Sequence, residues 1–303
     1  MLPNFPKFKK LTIDDQEEIN KYTKIFPPYS DYNFVSLFSY NTKEFIEISV
    51  LHNNLVVKFQ DYITNKPFYS FIGNLDVKET VLELIQLSLG NNLPPVLKLI
   101  PEINISNNHS LLEEFNILQD PDNFDYILSV DEIKTLQGNK YGGKRNFVNR
   151  FIRTYGEKEI NVLDLTDIKI QTQIEDLFLL WEKAKGQTRD ETETEFIATK
   201  RLLESADFFN LIPIGIYHDE KLIAFSIDEL LQNNYSIIHF EKADINYVGI
   251  FQYLKQATAK HIDQLGGTYI NYEQDLGIPG LRQAKQSWNP VNYLKKYIIT
   301  KKI

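Results

Sequence analysis

Apolar positions in the C-terminal half repeat with periods that separate helices from strands. Ile170, Ile174, Leu177, Phe178 and Trp181 recur at helical spacing, predicting a helix over Ile168–Lys185 that Gly186 ends. Before it, Asn161–Leu165 alternates like a short strand, and after it a second helix is expected over roughly Glu193–Phe209. Three strand-like runs follow, Ile212–Tyr217, Leu222–Leu231 and Tyr235–Phe240, separated by the polar turns HDEK and QNN in the manner of a meander. Val248–Leu265 returns to helical spacing and closes at Gly266-Gly267. Thr268–Glu273 then reads as a strand, Ile278–Gln286 as a short helix and Val291–Thr300 as a final strand.

The N-terminal half gives a similar order. A strand at Lys10–Thr12 leads to a helix over Asp14–Ile25, and a second short helix follows PPYSDY. Strands are expected at Phe45–Leu51, Leu55–Tyr62 and Pro67–Ile72, and Asp76-Val-Lys-Glu79 reads as a capping box opening a helix to about Leu89. A strand at Val96–Ile100, a helical turn at Leu111–Phe115 and a strand at Phe124–Val130 complete it. The repeated order (strand, two helices, three antiparallel strands, helix, strand, helix, strand) favours a structural duplication over chance agreement. It also matches the GNAT acyltransferase fold, whose fourth and fifth strands run parallel and splay apart around the acyl donor. The expected class is therefore α/β (α+β), as two tandem GNAT-like modules with mixed, mainly antiparallel sheets flanked by helices. The modules are placed at residues 1–135 and 157–303, with a basic connecting helix at 136–156.

Composition narrows the chemistry. A length of 303 residues suits two domains better than one core. The absence of cysteine excludes disulfides, thiolate nucleophiles, Cys-ligated zinc and iron–sulfur clusters. The 5 histidines show no HxxxH or HxH spacing, so no sequence-local metal site is expected. No run approaches the ~18 apolar residues of a membrane span. The opening MLPNFPKFKKL lacks the apolar core of a signal peptide, so a cytoplasmic location is expected, with peripheral membrane contact left open. A net charge of -8 argues against bulk, sequence-independent nucleic-acid binding. Residues 133–160 depart from this balance, holding 7 basic and 2 acidic side chains.

Three segments carry candidate chemistry. In YGGKRNFVNRFIRTYG (141–156), Phe147, Val148, Phe151, Ile152 and Tyr155 share one helical face. Arg145, Asn146, Asn149, Arg150 and Arg153 share the opposite one, and no acid follows until Glu157. Either a solvated face or a phosphate-binding groove fits this pattern, with Lys144 beside it. In HFEKADINYVGIFQYLKQATAKHI (239–262), Glu241 falls at the end of the fourth strand of the second module. The loop Lys242–Tyr247 then leads to a helix. Only Gly249 stands where acetyl-CoA-dependent GNAT proteins carry a Q/R-x-x-G-x-G/A loop, so acetyl-CoA use is not expected. In TYINYEQDLGIPGLRQAKQSWNPVNYLKKY (268–297), Asn271, Glu273, Gln274 and Asp275 at a strand end precede Gly277, Pro279 and Gly280. Arg282 and Lys285 follow on adjacent helical turns.

The set KRNFVNRF, EKAD, NYEQDLGIPGLRQAK and WNP, with KFKKLTIDD and PPYSDYNFVSLFSY near the start, resembles soluble relatives of the phosphatidylglycerol lysyltransferase C-terminal domain. That resemblance covers nearly the whole chain and implies transfer of an aminoacyl group from a charged tRNA. The lysyltransferases use a lipid hydroxyl as acceptor, but their multi-helix membrane region is not in this sequence, and the phospholipid is not carried over. Attack by an amine or hydroxyl on an activated ester needs a base and donors near the forming oxyanion. Glu241, Asp244 and Glu273 are the candidate bases, with Tyr247 or Tyr272 as proton donor. Lys144, Arg145, Asn149, Arg153, Asn271, Asp275, Arg282 and Lys285 are the candidate substrate-binding groups. The donor is aminoacyl-tRNA or acyl-CoA, the partner a tRNA or a phosphate-bearing small molecule, and no metal is assigned. The alternatives are an acyl-CoA-dependent N-acyltransferase and a non-catalytic binding module on the same fold.

Overall fold

The computed structural model describes residues 1–302 except 62, 63, 65, 107, 109 and 110, together with the side chains of all of these but residues 189–191. Tyr62, expected to end a strand, and His109 therefore lie outside the described residues. The N-terminal elements are β1 (Lys9–Lys10), α1 (Gln16–Thr23), α2 (Phe34–Tyr40), β2 (Glu47–Leu51), β3 (Asn54–Gln60), β4 (Pro67–Ile72), α3 (Val77–Gly90), β5 (Val96–Pro101), α4 (Glu102–Ile105), α5 (Leu111–Glu114) and β6 (Phe115–Gln119). Then follow β7 (Asp125–Ser129), α6 (Val130–Thr135), α7 (Gly142–Tyr155), β8 (Ile160–Val162), α8 (Ile168–Lys185), α9 (Arg189–Glu204), β9 (Leu211–His218), β10 (Lys221–Leu230) and β11 (Tyr235–Ala243). The last are α10 (Ile250–Gln264), β12 (Tyr269–Asn271), α11 (Pro279–Gln286), β13 (Asn292–Leu294) and β14 (Lys296–Lys301).

Two compact units divide the chain, one of residues 1–125, 274–282 and 293–303, the other of 126–273 and 283–292. The first unit's sheet has the order β1-β2-β3-β4-β5-β14-β6, and the second sheet the order β13-β7-β12-β11-β10-β9-β8. Both are mostly antiparallel, and each holds a parallel pair, β4 with β5 and β11 with β12. The basic helix α7 lies within the second unit and the last strand within the first. Both units thus draw on segments beyond linear boundaries at 135 and 157. No helix among the described residues is long and apolar enough to cross a membrane.

Most elements follow their sequence patterns. Helix α8 has the expected ends: the Asp167 side chain accepts from Lys169 N at 2.8 Å, and Gly186 closes the helix at φ 67°. Three expectations need correction. Asp76 precedes α3 at φ 42° and makes no side-chain cap bond, so the capping box does not form. The left-handed backbone turns its carboxylate away from the first-turn amides. The single strand expected at Val291–Thr300 is two, β13 and β14, which join different sheets. Strand β6, unanticipated, pairs with β14 from Gln119↔Tyr297 to Phe115↔Lys301.

Each unit has its own core. In the first, Val56, Phe71, Val81, Leu84, Leu97 and Ile299 are buried together, and in the second Val148, Phe151, Ile214, Ile238, Leu254, Ile262 and Ile270. Removing such side chains from water supplies roughly 1.5–3 kcal/mol each. Strand β14 also brings a charge inside. Lys296, fully buried, donates to Asp125 Oδ1 at 2.8 Å, to Ser30 Oγ at 3.3 Å and to Asp31. Burial opposes the ammonium, but Asp125 and Asp31 hold it above its ordinary range. Asp31, pushed up by burial more than Lys296 lowers it, takes a proton more readily than an ordinary carboxylate.

Replacing Lys296 by Met should strand these acids and cost about 3–5 kcal/mol in urea unfolding at neutral pH, with a smaller penalty in acid. A loss below about 1 kcal/mol would place Lys296 among exposed, weakly coupled pairs and contradict this reading.

Candidate active site

In the second unit β11 and β12 register only from Tyr235↔Tyr269 to Ile237↔Asn271, although β11 runs on to Ala243. Its distal part thus runs on past the end of β12, and Glu241 stands on that stretch. On the other side of β11, Glu241 is opposite Ser226 of β10, which puts the two side chains on one face of the sheet. Asp228, two residues along β10, shares that face. Helix α10 covers it, and the Nζ of Lys255 lies 2.5 Å from Glu241 Oε2, with side-chain exposures of only 1% and 8%. The contact falls outside hydrogen-bond alignment, so neither atom has a hydrogen-bond partner among the described residues.

Tyr272, just beyond β12, completes the cluster. Lys255 Nζ lies 3.7 Å from the centre of its ring and Lys285 Nζ 4.7 Å. Two ammonium groups on one ring favour a fixed ring position by cation–π attraction. Lys285 also donates to the Tyr272 carbonyl oxygen. Burial, followed by the charge of Glu241, drives the Tyr272 hydroxyl well above its ordinary range, so it stays a proton donor at neutral pH. Asp228 is pushed up to about 7, chiefly by burial and partly by Glu241. The hydrogen bond from Ser226 Oγ at 2.7 Å and the charge of Lys255 only partly oppose this. Asp228 Oδ1 has no hydrogen-bond partner among the described residues.

Of the residues singled out in the sequence, the structure gathers Glu241, Tyr272 and Lys285 here. Most of the others are engaged elsewhere, while Asn149 and Arg153 stay exposed. Asp244 accepts from Lys221 Nζ at 2.9 Å and from Asn246 N at 3.1 Å. Burial raises its pKa, but these donors outweigh it and leave the carboxyl below its ordinary range, a poor base. Tyr247 packs against Tyr155 and His218, with ring centres 5.0 and 5.4 Å away. Asn271 Oδ1 accepts from Glu273 N at 2.7 Å, shaping the turn in which Glu273 has φ 55°.

Asp275 and Arg282, in the first unit, form a two-point pair at 2.9 and 2.7 Å, and Arg282 also reaches Asp122 at 2.6 Å. Gly277 is required there, since at φ +73° a Cβ would meet Asp122 Oδ2 at 2.9 Å. Lys144 Nζ donates to Ser287 Oγ at 2.6 Å and lies 4.3 Å from the Trp288 ring centre. Arg145 donates to Leu136 O and to Gly138 O, the latter at 2.7 Å, and so caps α6 instead of facing a ligand. Asn149 and Arg153 are exposed and, with Asn146 and Ile152, line a shallow pocket of about 390 Å³. Phe147, placed on the apolar face by the helical wheel, is 44% exposed. Gly249, at φ +93°, brings α10 against α7, where a Cβ would sit 2.3 Å from Phe147 O. No group of three or more His, Asp or Glu among the described residues is arranged to hold a metal ion.

Lys255 and Asp228 had no part in the sequence argument. A lysine in line with Thr258 and Ile262 on the apolar stripe of α10 is the signal that could have found the first.

Two mostly antiparallel sheets flanked by helices, each with a parallel pair, define an acyltransferase-like architecture of two GNAT-like modules. A tandem GNAT protein from the clavulanic acid biosynthesis pathway shares it at TM-score 0.51 and 8% identity, over 97% of this chain and 98% of that one. The chain belongs to the family described as phosphatidylglycerol lysyltransferase, C-terminal, which matches residues 23–300. A conserved protein of unknown function from Bacteroides thetaiotaomicron is similar at 28% identity and TM-score 0.85, over 100% of both chains. The C-terminal domain of a putative lysylphosphatidylglycerol synthetase from Agrobacterium fabrum is similar at 12% identity and TM-score 0.65, over 94% of this chain and 90% of that one. An uncharacterized protein of Mycoplasmoides gallisepticum is 26% identical over 176 residues, 57% of this chain and 55% of its own length.

The raised Asp228 carries a stability prediction. Its folded value, about 7, exceeds the ordinary 3.8, so the folded protein holds the extra proton between them and loses stability as pH rises through that window. Asp228→Asn cannot ionise. Relative to the natural protein it should gain on the order of 4 kcal/mol in urea unfolding between about pH 4 and about pH 8. A difference that stays constant with pH would show that Asp228 is not held protonated.

Proposed function

We propose that this protein moves an aminoacyl group from a charged tRNA to an amine or hydroxyl acceptor, with Glu241 as the base. The observation that carries this reading is the buried Glu241–Lys255–Tyr272 cluster where β11 leaves β12. Glu241 removes the acceptor's proton as its nitrogen or oxygen attacks the ester carbonyl. When the acyl C–O bond of the ester then breaks, the departing ribose oxygen of the tRNA takes that proton from Glu241. The Lys255 ammonium and the Tyr272 hydroxyl supply positive charge and a hydrogen bond for the oxygen that becomes negative. The name of the Agrobacterium fabrum protein, a putative lysylphosphatidylglycerol synthetase, supports an aminoacyl group as the cargo.

The acyl-CoA alternative is disfavoured by α10. Its first turn abuts the Phe147 carbonyl of α7 at Gly249, where a pyrophosphate would need free amides. Calorimetry with millimolar acetyl-CoA should show no saturable heat, and a micromolar dissociation constant would restore that alternative. For the nucleic acid, Arg150 and Arg153 are exposed and make no ion pair among the described residues. Arg150→Ala with Arg153→Ala should flatten the salt dependence of tRNA binding by roughly two units of slope. An unchanged slope would make that face ordinary solvated surface.

The direct test follows label from tRNAs charged with radioactive amino acids into amine and hydroxyl acceptors. Glu241→Gln should slow transfer by about 10²–10⁴-fold with tRNA binding intact, whereas Asp244→Asn should stay within a few-fold. Equal rates for Glu241→Gln and the natural protein would remove Glu241 from the reaction.

A further inference from the structure

The chain has two tryptophans, and each lies under a lysine. Lys242 Nζ is 4.3 Å from the ring centre of Trp181, and Lys144 Nζ is 4.3 Å from that of Trp288. The two pairs differ in what balances the ammonium. Lys242 has the Glu195 carboxylate at 2.5 Å. Lys144 donates to the neutral Ser287 Oγ at 2.6 Å and has no carboxylate partner among the described residues. Indole and hydroxyl thus hold the half-buried Lys144 in place without neutralising it.

No acid close in the chain is left for it. The nearest, Glu132 on α6, accepts from Lys140 at 2.8 and 2.9 Å and from the Tyr141 hydroxyl at 2.9 Å. The first turn of α7 holds no acid, and a Cβ at Gly143 would meet nothing within 4 Å, so the approach beside Lys144 is open. Trp288 also ties Lys144 to the Glu241 cluster. Its N–H donates to Lys285 O at 3.1 Å, and Lys285 shares the Tyr272 ring with Lys255. Burial, and after it the charge of Lys255, holds Lys144 below its ordinary range, the mark of one ammonium facing another. We propose that Lys144, seated on Trp288 and Ser287, binds the phosphate of the donor's terminal nucleotide. That phosphate gives Lys144 the charge-assisted partner that Glu195 gives Lys242. The choice of a nucleotide rests on the transfer reading above, although the anion site itself does not.

The test is an NMR titration of the full chain with adenosine 5′-monophosphate at constant ionic strength, following both indole N–H resonances. Trp288 should shift saturably, whereas Trp181, whose lysine is already paired, should stay still. Lys144→Met should weaken nucleotide binding by at least about tenfold. No saturable shift at Trp288, or equal affinity in the variant, would overturn the proposal. Glycerol 3-phosphate binding as tightly as the nucleotide would also overturn it, in favour of a lipid headgroup. Should Lys144→Met fail to fold, the Lys144 Cε resonance of the natural protein serves instead. It should move together with Trp288, and a resonance that stays fixed is equally contradictory. A transfer assay run beside the titration separates the two ideas. Nucleotide binding at Lys144 with no transfer to any acceptor keeps the proposal and sinks the transfer reading, whereas transfer without that binding does the reverse.

Discussion

An ammonium with almost no exposure dictates the second unit. Lys255 sits on the covered side of a helix, where an unpaired charge would cost several kcal/mol, so a counter-charge must arrive from the sheet below. Glu241 supplies it from the part of β11 that runs on beyond its register with β12. The rotation of α10 that points Lys255 inward is fixed in turn by Gly249, whose missing side chain lets α7 close on the helix start. Tyr272 then lies with its ring against the same ammonium, on a segment that Lys285 holds by its carbonyl. A carboxylate, an ammonium and a phenol are thereby fixed together by packing, which is the condition for electrostatic preorganisation.

The two units use one element order differently. In the first, β4 and β5 register only at Tyr69↔Leu97. The buried Asn104 side chain donates to Phe71 O at 2.8 Å, and the Tyr32 hydroxyl lies 2.5 Å from Ser70 Oγ. Among the described residues, buried side-chain atoms without hydrogen-bond partners concentrate in the second unit, at Asp228, Ser236, Glu241, Lys255 and Thr258 among others. Buried polar atoms left over in this way call for an explanation, of which a role in chemistry is one. The first unit is stabilised by its own buried ion triad around Lys296.

Much of the fold was legible because amphipathic periods are strong signals over long elements. Helix α8 and the β9–β11 meander fall within a few residues of their expected ends. The failures were tertiary. Nothing in VNYLKKYIIT marks the break at Lys295 that sends β13 and β14 to different sheets, since the alternation continues through it. Asp76 has the residue type of a cap but not the backbone angle. At the site, Glu241 was legible from its place at a strand end before a loop. Lys255 was not, because a lysine in KQATAK looks like solvated helix surface unless its alignment with Thr258 and Ile262 is weighed. Arg145, Asp275 and Arg282 misled for the opposite reason. Their charges are consumed by partners far along the chain or around a tight turn, which local spacing cannot reveal.

The proposed transfer requires the acyl ester to be held beside the distal part of β11 in the second unit. Its most direct test is to map backbone and side-chain NMR shifts on titration with a non-hydrolysable aminoacyl-adenosine amide, which mimics the charged end of a tRNA. Saturable shifts centred on the distal part of β11, on Lys255 and on Tyr272 are expected. Shifts confined to other surfaces, such as the pocket of about 420 Å³ lined by Lys158, Ile160, Tyr253 and Lys260, would contradict it.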